Sequence, residues 1–479
     1  MAVKYADAPR AMRGYGIILR MEEKRESLGS RLGFILLSAG CAIGIGNVWK
    51  FPWMAGQHGG GLFVLIYLFF LIALGVPPLV MEFAAGRAAR RSIATLHETL
   101  TPDRRRLWSW HGWLGMAGCW LLMMFYTTVA GWMLLYLLKT ACGTFAGLDA
   151  KGVADAFGAC LADPVQQLAG AATVSVAGFA VCACGLRTGL ERITKWMMLA
   201  LLALMGVLAI NSLCLEGGGE GLAFYLKPSL SAFRESGVGR TVVGAMNQAF
   251  FTLSIGIGCM TIFGSYIGRE RSLAGEALTV TVLDTVVALL AGLIIFPACS
   301  AFGVRPDAGP SLIFVTLPNV FNAMSGGRIW GGLFFAFMST AAFTTVLAVF
   351  ENLLAGLREK TGWSRRKAAL VCGIAMPILS APCALGFNLL QKFHPLGGKS
   401  TVLDLEDFLV SDLALPIGAL AFVLYCTRRL GWGWDSFLAE ANAGQGLKLP
   451  AWVRRWFAWG IPIAIVVVLL TGLYARFGR

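Results

Sequence analysis

The sequence is short of charge. Asp, Glu, Lys and Arg make up 14% of its 479 residues, whereas a soluble domain carries about 25%, so a water-facing enzyme is the first class to fall. From residue 32 onward there is also no polar, Pro-rich or Ser-rich linker between the apolar runs. Division into soluble domains of ~150 residues therefore has no support. Only four histidines occur (His58, His97, His111, His394), and the twelve cysteines include no CxxC. That excludes the usual zinc spacings, and neither an HExxH nor a Ser-His-Asp grouping is present to make a membrane-embedded hydrolase. Residues 1–30 lack an apolar core of about 7–15 residues, so no cleaved signal peptide is expected.

What the chain has in excess is apolar length: 57% of residues are hydrophobic and the mean hydropathy is +0.70. A bilayer core needs about 20 mainly apolar residues per helix. Eleven such stretches can be drawn, over 31–55, 60–86, 109–140, 167–184, 193–214, 241–267, 276–303, 329–356, 367–386, 405–427 and 457–475. The expected fold is an all-α polytopic membrane protein of eleven transmembrane helices. The net charge of +14 would suggest nucleic acid in a soluble protein, but here the excess lies in alternate loops, and no nucleic-acid partner is expected. Residues 1–31, 87–106, 187–195, 269–271, 358–367 and 428–455 together hold 28 of the 40 Lys and Arg. By the positive-inside rule the N-terminus is cytoplasmic and, with an odd helix count, the C-terminal tail is outside. The expected location is the plasma (inner) membrane, multi-pass. Cys142 and Cys160 both fall in an outer loop, where they are either bridged or free; spacing alone does not decide.

A doubled motif organises these stretches. Ala42-Ile43-Gly44-Ile45-Gly46-Asn47 in the first is answered by Ser254-Ile255-Gly256-Ile257-Gly258-Cys259 in the sixth, five helices later. Each glycine costs about 1 kcal/mol against alanine inside a helix, so paired glycines mid-span mark helices expected to unwind. Small-residue patterns also serve close helix packing, but two copies at corresponding positions with polar neighbours favour unwinding. Unwound backbone at membrane depth must line a cavity. The chain then divides into a cytoplasmic segment (1–30), a first five-helix repeat (31–214), an inverted second repeat (241–427), and 428–479, a cytoplasmic loop plus helix 11 and an outer tail.

Polar side chains inside apolar spans cost ~3 kcal/mol at the bilayer centre, and Asn47, Gln248, Thr252, Asp284, Thr344 and Thr345 are such residues. Asp284 has no Lys or Arg within residues 278–296. Its partner is a bound cation, a proton, or neighbouring hydrogen-bonding groups. Hydroxyls, amides, carbonyls and one carboxylate suit a hard ion such as Na⁺. Tyr126 either reaches a substrate carboxylate or packs in the core. Lys50 and Asp407, at the outer ends of two helices, either close a gate or snorkel to the headgroups.

These residues resemble the neurotransmitter:sodium symporter family, in particular its short eleven-helix bacterial amino-acid transporters. The likeness runs from Arg31-Leu32-Gly33 through Gly40 to Pro52 and Gly59-Gly60-Gly61. It continues in Gln248 to Ser254, Leu283-Asp284, Thr344-Thr345 and Asp404-Leu405-Glu406-Asp407-Phe408, and spans residues 24–475. It implies two Na⁺ sites. One would use the carbonyl of Ala42, the amide of Asn47, Thr252, the side chain of Asp284 and the substrate carboxylate. The other would use carbonyls of Gly40, Ile43 and Ala341 with the hydroxyls of Thr344 and Thr345. It also implies a substrate site of Cys41, Ala42, Gly44, Gly46, Leu122, Tyr126, Phe251, Thr252, Ser254, Ile257, Thr345 and Val349, with Phe251 and Tyr126 as lid. Lys50 and Asp407 would form the outer gate, Arg25 and Glu359 the inner one. The chain departs from the family pattern where Lys50 replaces an Arg, losing a bidentate fork, where Thr345 replaces a Ser, and where Leu28 stands for a common Trp. A twelfth helix is also absent, and the oligomeric state is left open.

The resemblance implies a symporter importing a neutral L-amino acid with Na⁺ by alternating access. Amine transporters of the family carry Asp where this chain has Gly44, and Gly leaves room for the substrate's own carboxylate. Leu122, Phe251, Ile257 and Val349 favour a hydrophobic or aromatic side chain, and Ile257, smaller than the aromatic of some relatives, admits a large one. Chloride is not expected, because Asp284 already supplies the charge that chloride gives to members with Asn there, and Ala288 offers no hydroxyl. The alternative is a proton-coupled permease of the same fold, with Asp284 as proton carrier.

Overall fold

The computed structural model describes residues 26–303 and 312–477. α1 (Arg31–Ala42) starts where the Ser30 hydroxyl accepts from the Gly33 amide, and stops where Ile43 leaves helical backbone at ψ 92°. The chain resumes in α2 (Gly46–Gln57), bent by 54° from α1. There follow α3 (Gly61–Ala89), α4 (Pro102–Ala141), α5 (Pro164–Ala183) and α6 (Leu186–Leu213). The sixth expected stretch is present as two pieces, α7 (Val238–Thr252) and α8 (Cys259–Gly264), each too short to cross a bilayer alone. Then come α9 (Leu273–Ala301), α10 (Gly327–Thr361), α11 (Arg365–Leu385), α12 (Val402–Thr427) and α13 (Ala451–Tyr474). Among the described residues, nine helices are long and apolar enough to span a membrane, and the bent α1–α2 pair makes a tenth. No strand occurs among them; two isolated bridges, Gly60 to Pro228 and Arg271 to Gln445, are the only β pairing described.

Helix ends follow local chemistry. Asp163 accepts from the amides of Val165 and Gln166 ahead of Pro164, the first residue of α5, which needs no amide partner there. Thr401 and Asp404 form a reciprocal capping box at α12. Gly362, at φ 70°, closes α10 in the left-handed conformation.

The helices pack in two groups. α4, α5, α10 and α11 form one; α1, α3, α8 and α9 form the other; α6 packs against α9 and α10, and α12 touches both α4 and α3. α10 and α4 are the most enclosed spans, and α13, leaning on α12, is the most open. Both chain breaks, at 43–45 and 253–258, lie between the groups. Cys142 and Cys160 are free thiols, the first exposed and the second buried.

Candidate functional site

Breaking a helix leaves amides and carbonyls that must find partners in a space without water. At the first break the Ile45 amide donates to the Tyr126 hydroxyl at 3.0 Å. The Thr345 hydroxyl stands 3.1 Å from the Gly40 carbonyl, 3.3 Å from that of Ile43 and 3.4 Å from that of Cys41. At the second break the backbone turns through positive φ at Ser254 (50°), Gly256 (102°) and Gly258 (80°), the last two needing glycine's freedom. Ser254 donates to the Cys41 carbonyl at 3.3 Å, tying one break to the other.

The two breaks enclose a cavity lined by Cys41, Ala42, Gly44, Gly46, Leu122, Tyr126, Phe251, Thr252, Ser254, Thr345 and Leu415. Ten of these are residues expected from the sequence. The other two expected there, Ile257 and Val349, are fully buried but do not line it. The Ile257 Cγ2 fills the hollow left by Gly118, 2.7 Å from where a Cβ would stand, while its carbonyl accepts from Cys119 at 3.4 Å. The lining residue not read from sequence is Leu415, an apolar residue in an apolar helix. Gly44 has no room for a side chain: a Cβ would run into the Tyr126 hydroxyl and come within 2.6 Å of Thr345 Oγ1. A Cβ on Gly46 would stand 2.6 Å from the Phe251 ring.

Beside the cavity Asp284 is fully buried. It accepts from Asn47 Nδ2 at 2.7 Å and from Thr252 Oγ1 at 3.0 Å. Its carboxylate has no ion pair among the described residues. Asn47 Oδ1, also buried, has no hydrogen-bond partner among them either. An idle amide oxygen next to a carboxylate and a hydroxyl is an all-oxygen donor set, which fits a hard cation. In the second expected set the Thr345 hydroxyl stands by the Gly40 and Ile43 carbonyls and Thr344 Oγ1 lies 2.9 Å from the Ala341 carbonyl, so its oxygens come from α10, from α1 and from Ile43 in the first break. No group of three or more His, Cys, Asp or Glu suited to a metal occurs among the described residues.

Above the cavity, Lys50 Nζ lies 3.9 Å from the Phe251 ring centroid and 3.8 Å from Asp407 Oδ1. The cation, the ring and the acid form a stack at one end. Of the expected inner gate, Arg25 lies outside the described residues. Glu359 accepts from the Ser92 amide (3.0 Å) and from the Ser92 and Thr95 hydroxyls (2.5 and 2.6 Å).

Three acids not singled out from sequence hold the scaffold. Glu82 accepts from the Gly256 amide at 2.5 Å and from the Thr261 amide and hydroxyl at 3.2 Å, bridging the second break to α8. Glu351 pairs with Arg365 and accepts from the Tyr266 hydroxyl at 2.6 Å. Glu191 receives the Gly29 amide at 2.7 Å and the Ser30 hydroxyl at 3.1 Å. The signal for Glu82 was present, an acid inside the apolar run of α3, but its partners lie more than 170 residues away.

Residues 25–147 and 163–476 match the sodium:neurotransmitter symporter family. The chain belongs to that family. It is 34% identical over 452 residues to the sodium-dependent transporter YhdH of Bacillus subtilis, covering 94% of this chain and 98% of the relative. A sodium-dependent transporter of Haemophilus influenzae is 28% identical over 470 residues, covering 94% and 99%. Among solved structures, MhsT in complex with L-phenylalanine superposes with a TM-score of 0.84 at 36% identity, covering 93% of this chain and 99% of that one. The protein is a multi-pass, sodium-dependent membrane transporter and not an enzyme.

Proposed function

We propose that this transporter is a symporter that couples Na⁺ to uptake of a neutral, hydrophobic or aromatic L-amino acid by alternating access, without chloride. The observation that carries the reading is the cavity between the breaks. Gly44, lacking a side chain, lets the Tyr126 hydroxyl close against the first break, beside Asn47 and Thr252, where a substrate carboxylate meets donors and a cation. Leu122, Phe251 and Leu415 leave an apolar remainder for a side chain. The MhsT relative binds L-phenylalanine, which agrees with that division. Two Na⁺ sites are proposed, at Asn47, Thr252, Asp284 and the Ala42 carbonyl, and at Gly40, Ile43, Ala341, Thr344 and Thr345. The two repeats, 31–214 and 241–427, are read as inverted halves contributing one break each. The N-terminus is assigned to the cytoplasm of a plasma membrane.

The test is uptake into proteoliposomes at fixed pH, paired with a thermal-shift panel of amino acids in Na⁺ and in choline. Binding of large neutral amino acids only in Na⁺, and accumulation only with an inward Na⁺ gradient, is the expected result. Accumulation driven by a proton gradient in choline would refute the coupling, and preference for a charged or amine substrate would refute the assignment of the cavity.

A further inference from the structure

Behind the cavity two thiols meet. Cys41 is on the cavity wall, and Cys119 Sγ is 3.7 Å from Cys259 Sγ. Cys119 and Cys259 are fully buried, so neither is a surface thiol brought near another by chance of a mobile loop. Cys119 belongs to α4 and precedes Leu122 and Tyr126 by three and seven residues, which puts all three on one helix face. Cys259 opens α8, directly after the break. The pair therefore joins the two helix groups that flank the substrate.

Hydrogen bonds hold the Cys119 thiol in place: its S–H donates to the Ile257 carbonyl at 3.4 Å, and its sulfur accepts from Asn352 Nδ2 at 3.2 Å. A disulfide needs sulfurs at about 2.05 Å, so the pair must close by about 1.7 Å from its present separation.

We propose that Cys119 and Cys259 form a modification site, a dithiol that a small peroxide converts to a disulfide. The balance is simple. The Cys259 thiol reduces the O–O bond and becomes a sulfenic acid, releasing one water. The Cys119 sulfur then attacks the Cys259 sulfur, its proton leaving with the hydroxyl as a second water. Two sulfurs lose two electrons, and one peroxide is reduced. The bond ties α4 to α8 across the moving interface and arrests the carrier until a thiol reductant cleaves it. Only the arrest rests on the transport reading; formation of the bond does not.

The experiment treats the full-length protein in proteoliposomes with hydrogen peroxide, blocks remaining thiols with N-ethylmaleimide, and maps peptides with and without dithiothreitol. Expected is a peptide containing Cys119 linked to one containing Cys259, with uptake falling as the linked fraction rises and returning on reduction. Cys119→Ser should keep uptake under peroxide. If that variant fails to fold, the peptide map of the wild-type protein still decides. Cys259 linked to Cys41, or both thiols alkylated after peroxide treatment, would overturn the proposal. A linked protein that transports at the untreated rate would overturn the arrest. A protein that never transports but links as expected would separate failure of the transport reading from failure of this one.

Discussion

Single residues at the breaks carry the strongest constraints. Asn47 and Thr345 each supply oxygens to a different expected cation set, so Asn47→Ala and Thr345→Ala should each weaken Na⁺-dependent substrate binding by about 1–3 kcal/mol while the protein stays folded. Sodium titrations of the two variants check this, and unchanged sodium affinity in both would remove the two-site reading. Gly44→Asp should abolish uptake for two reasons. Its Cβ meets the Tyr126 hydroxyl and Thr345, and its carboxylate would occupy the place of the substrate's own and repel it at low dielectric. Radiolabelled uptake at equal expression measures it; retained uptake would show that Gly44 does not face the site. At this scale the sequence was readable wherever a residue was chemically out of place. Asn47, Thr252, Asp284, Thr344 and Thr345 stand out because lipid-facing helices shun them. Leu415 was not readable, since an apolar residue in an apolar run looks the same whether it faces lipid, core or cavity. Ile257 shows a related limit: the motif fixes its place in the break, whereas the packing of its side chain depends on Gly118, more than a hundred residues away.

At the scale of elements the two breaks differ in construction. The first is a bend of 54° held by side chains from α4 and α10; the second is a left-handed passage jammed against α12. A Cβ on Gly256 would strike the Leu415 carbonyl and come within 2.8 Å of the Ala419 amide, and one on Gly418 would strike the Gly256 carbonyl. Gly256→Ala should therefore lower stability by more than the roughly 1–2 kcal/mol of a left-handed alanine, seen as a lower melting temperature in detergent. An unchanged melting temperature would mean that the break relaxes away from α12. Paired glycines announced where the helices break, while some helices outrun their apolar stretches: Pro102–Ala141 has 40 residues and Gly327–Thr361 has 35, where the runs 109–140 and 329–356 are shorter. The bend, and the part Glu82 plays in bridging the second break to α8, were hidden because they depend on contacts between α3 and α8 that leave no periodic trace in either.

On the proposed alternating-access reading the whole molecule opens and closes around these breaks, and its charges bear on how. Glu351, nearly fully buried, is matched by Arg365 at the start of α11. Arg365→Ala leaves that acid unpaired and should cost about 3 kcal/mol, measured by thermal unfolding, with Arg365→Lys recovering only part because the fork is lost. Replacing chloride by gluconate should leave wild-type uptake unchanged, because Asp284 already holds negative charge beside Asn47 and Thr252 and would repel an anion there. Asp284→Asn should be inactive or become chloride-dependent. A wild-type protein that stops in gluconate would overturn the role given to Asp284. The membrane class and the family were legible from composition and motif, whereas the grouping of α4, α5, α10 and α11 against α1, α3, α8 and α9 required coordinates.

The contact between Gly256 and Gly418 also bears on redesign. Two backbones meet there without side chains, so a library aimed at new cargo gains nothing by varying either position. Leu415 is different: its carbonyl serves that contact while its side chain faces the cavity, so shortening it enlarges the chamber and leaves the junction intact. A directed-evolution campaign that holds the two glycines fixed and samples Leu415 with Leu122 should move the preferred cargo size with little loss of folded protein.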